Sequence, residues 1–244
     1  SASVSTDRPG NRRGKRAVAD KRNQRNFDLN AWVAGEGRTD FSATFSPRQR
    51  FADNVAAINL LHTLEMTERA ASDEDKAVLA KYVGWGGLAG AFTKKMDWAQ
   101  ESATLDMMVE SGVITKAEWD SFAASTLNAH YTAPEIAQAV WAGVEKLGFT
   151  GGRVLEPAVG IGHFIGTVPD SIKGNTGFTA LDIDPISARI ARALYPDADI
   201  KVRPFETFNI PDGTFDLVIG NVPFGDFKLH DPKYNKYNLS IHNY

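Results

Sequence analysis

Apolar residues recur at spacings of three and four through the first half of the chain. Phe51, Val55, Ile58, Leu61 and Leu64 form one stripe, and Ser46-Pro47 supplies a cap followed by proline at the first helical position. A helix is therefore predicted near 47–66. Ser72 with Asp75 three residues on reads as a capping box. It opens a helix through Val78, Leu79 and Tyr82 that stops at Gly84-Trp85-Gly86-Gly87. Two more helices are predicted near 98–110 and, capped by Thr115, near 116–125. Residues 27–45, with Gly35 and Gly37, read as loop or short irregular structure.

From residue 128 the pattern changes. Thr132-Ala133-Pro134-Glu135 reads as another capping box, and Ile136, Val140, Val144 and Leu147 give a helical stripe. Short apolar runs then alternate with helical segments: Arg153–Leu155, Phe178–Leu181, Ile200–Val202 and Phe215–Ile219. Strands alternating with helices imply βαβ units and a parallel sheet. The fold class is α/β, a Rossmann-like doubly wound sheet preceded by a helical region. The expected division is a basic arm over 1–26, a helical region over 27–125 and the sheet domain over 126–244. Only 24 residues follow Gly220, and Leu239–Tyr244 reads as the start of a helix. The sheet is expected to be truncated at its C-terminal side, as in a fragment of a longer polypeptide.

Composition adds little until charge is located. Hydrophobic content of 43% and charged content of 23% describe an ordinary globular chain. No apolar run approaches the roughly 18 residues of a spanning helix, and no secretory signal is visible. Zero cysteines exclude disulfides and thiolate metal sites. The net charge of −3 is unevenly spread. Arg8, Arg12, Arg13, Lys15, Arg16, Lys21, Arg22 and Arg25 face one acid, Asp20, so that window carries +7 and the rest −10. Pro9, Gly10, Asn11 and Gly14 break any helix there, and residues 1–26 read as a mobile basic arm. Such an arm suits phosphate binding, with affinity falling as salt rises. A solubilising terminus has the same composition.

Three constellations carry candidate chemistry. In the first, Val154-Leu155-Glu156-Pro157-Ala158-Val159-Gly160-Ile161-Gly162-His163, a strand ends in an acid and a Gly-x-Gly turn feeds a helix. Glycines there allow close approach of a ligand to the backbone. A carboxylate at Glu156 would repel a pyrophosphate, so a ligand with a cationic end suits this loop better. In the second, Leu181-Asp182-Ile183-Asp184-Pro185, Asp182 stands 20 residues after Gly162, placed to accept from ribose hydroxyls, and Asp184 reads as a helix cap. In the third, Ile219-Gly220-Asn221-Val222-Pro223-Phe224, a carboxamide, a carbonyl and an aromatic face follow a buried strand. The carboxamide and carbonyl can accept both hydrogens of a planar amino group while the ring stacks on its flat parent.

In this order and spacing the residues resemble the amino-group methyltransferases that use S-adenosylmethionine, in particular the N6-adenine DNA methylases. The resemblance implies that Glu156, Pro157, Ala158, Gly160, Gly162 and Ile183 hold the cofactor, with Asp182 at its ribose. It implies Tyr131 and Thr132 at the methionine end, and Phe205 and Glu206, a match looser by about one residue, at the adenine. Asn221, Val222, Pro223 and Phe224 would form the catalytic motif that holds the target base. Val222 replaces the first proline of the family's pattern, so φ is no longer fixed there. His130-Tyr131-Thr132, Lys81 through Leu88 and Asn221 through Gly225 further resemble the methylase module of methylase–helicase fusions. Phages and conjugative plasmids carry these fusions, some of which protect incoming DNA from restriction. The match runs from about residue 49 to the end, outside the basic arm.

The implied function is methyl transfer from S-adenosylmethionine to adenine N6 in DNA, in the cytoplasm of a bacterial or phage-infected cell, with a virion-borne location also open. DNA is the implied partner, together with a helicase region completing the larger protein. No membrane or metal is implied, since His62, His130, His163, His230 and His242 are scattered; His163 reads as a helix-start or packing residue. An RNA or protein-glutamine acceptor presents the same planar amine and stays open, as does a non-catalytic cofactor- or partner-binding module. A nicotinamide dehydrogenase is disfavoured by Glu156-Pro157 and by Asn221–Phe224. The helical region reads as a packing layer, or else Trp85 sits on a loop that closes over the cofactor or touches DNA. Trp98, Trp119 and Trp141 read as core.

Overall fold

The structure is a computed structural model and describes residues 25–36, 46–126 and 131–222. Most of the basic arm, Pro223 and Phe224, and the helix expected at Leu239–Tyr244 lie outside the described residues. Among the described residues, no helix is long and apolar enough to cross a membrane.

The first helix stands where a loop is expected: α1 covers Leu29–Glu36. Asp28 caps it, its Oδ1 accepting from the Ala31 amide at 2.9 Å, and Leu29 and Val33, one turn apart, are buried. Gly35 is carried inside the last turn. The stripe is too short for periodicity to reveal, and tertiary burial makes up the difference. Helix α2 spans Pro47–Met66, with Ser46 accepting from the Gln49 amide and Pro47 in the first turn. Its Phe51, Ile58, Leu61 and Leu64 are buried. The Ser72–Asp75 capping box forms and opens α3, Asp73–Leu79, which ends short of Tyr82. Tyr82 is buried in the turn that follows. Helices α4, Ala99–Glu110, and α5, Lys116–Ser125, follow, the latter with a second capping box between Thr115 and Glu118.

Helix α6, Pro134–Lys146, departs from its expected orientation. Ile136, Val140 and Leu147 are exposed, and Ala137 and Trp141 face the core instead. The indole decides this: it buries a large apolar surface, and its Nε1–H donates to the Phe164 carbonyl at 2.9 Å. The expected cap at Thr132 is also absent. Ala133 is the N-cap with no side-chain bond, and the Thr132 carbonyl accepts from His163 Nδ1–H at 2.5 Å.

Four strands form one parallel sheet in the order β3-β2-β1-β4. They are β1 Gly152–Glu156, β2 Thr176–Asp182, β3 Asp199–Val202 and β4 Leu217–Val218. Short helices α7, His163–Gly166, and α8, Asp170–Lys173, join β1 to β2, and α9, Pro185–Leu194, joins β2 to β3. Strand β4 pairs with β1 through Val154 with Leu217 and Leu155 with Val218. Flanking bonds from the Asp216 amide to Arg153 and from the Ile219 amide to Leu155 extend that contact.

Two apolar clusters hold the molecule. The smaller joins Ala137 and Trp141 of α6 to Val154, Phe164, Val168, Ile172 and Ile219. The larger runs from Phe51, Leu61, Leu79 and Phe122 to Ile186, Ile190, Leu194 and Ile200. It crosses the division expected near residue 125, so helices and sheet share one core. Trp85 lies inside it, stacked on Phe122 with ring centroids 4.9 Å apart and edge-on to Phe51 and Phe92. Its side chain belongs to the packing layer. Trp141 is fully buried, and Trp98 and Trp119 are half-buried against the same cluster.

Asn54 is the polar exception on α2. It is wholly buried, its Nδ2 donating to the Gly84 carbonyl at 2.6 Å and its Oδ1 accepting from the Val83 amide at 2.9 Å. Asn54→Ala strands both backbone groups away from water. An expected loss of about 2–4 kcal/mol follows, read by urea unfolding. A loss below about 1 kcal/mol would show that the Val83–Gly84 turn holds without this bridge.

Candidate functional site

Strand β1 is the switch point of the sheet: the chain leaves it for β2 and β3 on one side and returns as β4 on the other. Ligands in open α/β sheets bind at such a point, outside the carboxyl ends of the strands. A cavity of about 300 Å³ lies there. The β1–α7 loop contributes Glu156, Ala158, Val159 and Gly160, and the β2–α9 turn contributes Asp182, Ile183, Asp184 and Ser187. Asn221 and Val222 enter after β4, and Tyr131 and Thr132 from the segment before α6. Tyr82, Gly84 and Trp85, with Ser121, Ala124 and Ser125 of α5, close it from the helical layer.

Asp182 knits two of these loops together. Its Oδ2 accepts from the Gly160 amide at 2.7 Å and its Oδ1 from the Asp184 amide at 2.8 Å. Burial pushes its carboxyl up to about 6, against the opposing pull of those amides. Asp184 caps α9, accepting from the amides of Ile186 and Ser187 and from the Ser187 hydroxyl. Ser187 in turn shares a hydrogen bond with the Tyr131 hydroxyl at 2.5 Å.

The Tyr131 ring is held between two glycines from different parts of the chain. A Cβ on Gly84 would stand 2.4 Å from the ring, and one on Gly160 would stand 2.9 Å from it. Gly160 also has φ of +53°, a region side chains disfavour. The space beside Gly162, at φ +88°, is taken by the Tyr195 ring. Gly160 and Gly162, expected to let a ligand approach the backbone, also make room for the protein's own aromatic rings, which set the shape of the loop.

The electrostatics select a cationic guest. Glu156, Asp182 and Asp184 line the cavity, no lysine or arginine does so among the described residues, and burial keeps His163 below its usual range. Glu156 Oε2 is buried without a hydrogen-bond partner among the described residues. Burial, and next the charge of Asp182, hold the Glu156 carboxyl well above the usual carboxylate range. A buried acceptor left unpaired costs about 1–3 kcal/mol, more for a charged group, so an ammonium, sulfonium or hydroxyl arriving there gains what the empty fold forgoes. The residues therefore fit S-adenosylmethionine, whose sulfonium and amino group are cationic. They do not suit a pyrophosphate.

Of the expected site residues, Tyr131, Thr132, Glu156, Ala158, Gly160, Asp182, Ile183, Asn221 and Val222 converge on the cavity. Pro157 and Gly162 shape the loop from behind, Pro157 against Gly220 at 3.4 Å from an added Cβ. Phe205 and Glu206 lie in the short 3-10 turn Phe205–Thr207 beyond β3 and are not part of the wall. Pro223 and Phe224 lie outside the described residues. His163 opens α7 and is buried, matching its expected packing role. Ser187, Ser121 and Ser125 are additions. Ser187 had a readable signal, its place one turn after the Asp184 cap; the α5 serines had none.

No family model matches the chain. Over 180 residues it is 31% identical to "Defense against restriction protein B" of Escherichia phage P1, a match that covers 73% of this chain. The chain spans 6% of that protein's length. A solved structure described as a class I S-adenosylmethionine-dependent methyltransferase from Listeria monocytogenes is 15% identical, with a TM-score of 0.36 over 73% of this chain and 60% of the other. That overlap carries no argument about this chain; its α/β fold rests on the four parallel strands and their order.

Proposed function

We propose that this chain is the donor- and base-binding part of an S-adenosylmethionine-dependent methyltransferase acting on the N6 amino group of adenine in DNA. The observation that carries the reading is the convergence, at the switch point of the sheet, of the unpaired Glu156 carboxyl and the Asn221-Val222 rim on one acidic cavity. S-adenosylmethionine supplies a methyl group made electrophilic by the sulfonium to which it is attached. Glu156 and the Tyr131-Thr132 segment receive the amino-acid end, Asp182 takes the sugar, and Ile183 flanks the flat base.

The Asn221 carboxamide oxygen and the Val222 carbonyl accept the two hydrogens of the target amine. Held so, the amine would turn its lone pair towards the methyl; as the C–N bond formed, the methyl–sulfur bond would break with its electron pair left on sulfur as a neutral thioether, and the nitrogen would release a proton to solvent. Adenine N6 in a duplex is hard to reach, so the base would have to be flipped out, and the family resemblance gives Phe224 the role of stacking on it, a contact of about 1–3 kcal/mol. The basic arm, Arg8 to Arg25, would neutralise DNA phosphates. The phage relative is named for defence against restriction. Methylation of incoming DNA would serve that role, with a helicase region as the proposed partner.

The test incubates the protein with S-adenosylmethionine labelled in its methyl group and with DNA, RNA and protein acceptors separately. Label recovered as N6-methyladenine in DNA, and lower DNA affinity with a flatter salt dependence in a variant lacking residues 1–24, is the expected result. Label in RNA or in a glutamine side chain would move the acceptor. Donor binding without label in any acceptor would favour a non-catalytic module, a reading to which Val222, at the place of a proline, lends its one specific support.

A further inference from the structure

The helical layer contributes more than packing to the cavity. Glu118, Ser121 and Ser125 of α5 stand at i, i+3 and i+7, so they share one face of the helix. The orientation of that face is fixed at its first turn. Arg189 of α9 donates to Glu118 Oε1 at 2.7 Å and to Glu65 of α2 through its Nε at 2.7 Å, tying α5 to α9 and α2. Glu118 Oε2 meanwhile accepts from the Thr115 amide at 2.7 Å, completing the capping box. One and two turns further along, Ser121 and Ser125 line the same cavity as Asp182.

Asp182 cannot satisfy a sugar by itself. Each of its oxygens already takes one backbone amide, and an ionised carboxylate only accepts. A vicinal diol has hydroxyl oxygens that also accept, and these need donors. The Ser121 hydroxyl makes no hydrogen bond among the described residues. Ser125 Oγ donates only within its own helix, to the Phe122 carbonyl at 2.9 Å, a bond easily exchanged. We propose that Ser121 and Ser125 form the second wall of the sugar subsite, hydrogen-bonding the hydroxyls of a ribonucleoside whose other side faces Asp182. The assignment rests on the nucleoside-donor reading of the cavity and deepens it: the helical layer selects a ribose over a sugar without hydroxyls.

The test compares binding of S-adenosylhomocysteine and its 2′,3′-dideoxy counterpart by titration calorimetry, in the wild type and in Ser121→Ala/Ser125→Ala. Serine to alanine inside a helix favours the helix, so the unliganded melting temperature should not fall. The wild type should prefer the ribonucleoside, and the double variant should bind it about tenfold more weakly. In the variant the preference for the hydroxyls should shrink by the same factor, while affinity for the dideoxy compound stays within twofold. Unchanged affinity and unchanged preference overturn the proposal with the donor reading intact. If the wild type binds neither nucleoside, the donor reading itself falls, and this subsite with it.

Discussion

Asn221→Ala is expected to bind S-adenosylmethionine within about twofold of the wild type and to lose methyl transfer by about 10²- to 10³-fold, the effect of removing one preorganised polar group aimed at a reacting centre. The separation follows from where the residue stands. Ile219, two positions earlier, is buried against the sheet and fixes the end of β4, whereas Asn221 itself is exposed at the cavity rim. No described residue hydrogen-bonds its side chain. The fold has nothing to lose from the substitution, and the melting temperature should stay put. Glu156, Asp182 and the Tyr131 pocket, which would hold the donor, belong to other loops. Single-turnover transfer to an adenine-containing duplex, read beside calorimetric donor affinity, gives both quantities. Equal turnover in the two proteins would sink the assignment of Asn221, and parallel loss of donor binding would make it a donor-site residue instead.

The reach of sequence reasoning differs between the two halves of this site. Glu156 and Asp182 end their strands and Asn221 follows one, and strand ends are legible because short apolar runs bracketed by turns leave little choice of register. The caps of α2, α3 and α5 were legible for a similar reason: Ser46, Ser72 and Thr115 bond amides three residues away, a local interaction that local sequence records. The rotation of α6 was not. Ile136, Val140 and Leu147 offer a plausible stripe, and only the partner that receives the Trp141 indole, the Phe164 carbonyl 23 residues on, shows which side is inward. The same holds for the cavity's far wall. Gly84 and Gly160 are 76 positions apart, yet both are glycine because a single ring, Tyr131, fills the place of both side chains. A pairing of that kind has no period and no spacing, so it waits for the tertiary structure.

Affinity for S-adenosylmethionine should rise with pH, and the stability of the unliganded protein should move the other way. Both trends come from Glu156 and Asp182, whose carboxyls are raised in the folded state, Asp182 to about 6 and Glu156 well above the carboxylate range, with burial as the first cause of each. In the unfolded chain both ionise near pH 4. Between about pH 4 and the folded values the unfolded state sheds protons that the folded state retains. These two groups therefore weaken the unliganded fold as pH rises through that window, and their effect levels off above it. A cationic donor reverses the preference by stabilising the ionised forms, so binding expels protons. Affinity then climbs through about pH 6 by up to tenfold per pH unit for each proton released, continuing into the range where Glu156 titrates. Calorimetry in two buffers of different ionisation enthalpy counts those protons directly. Glu156→Gln should release fewer, flatten the upper part of the profile and raise the unliganded melting temperature at neutral pH, while lowering donor affinity by about tenfold or more through loss of the charge. A flat affinity from pH 5 to 8 with no proton release would mean that the cation does not approach these carboxyls, and the donor would have to be placed elsewhere in the cavity.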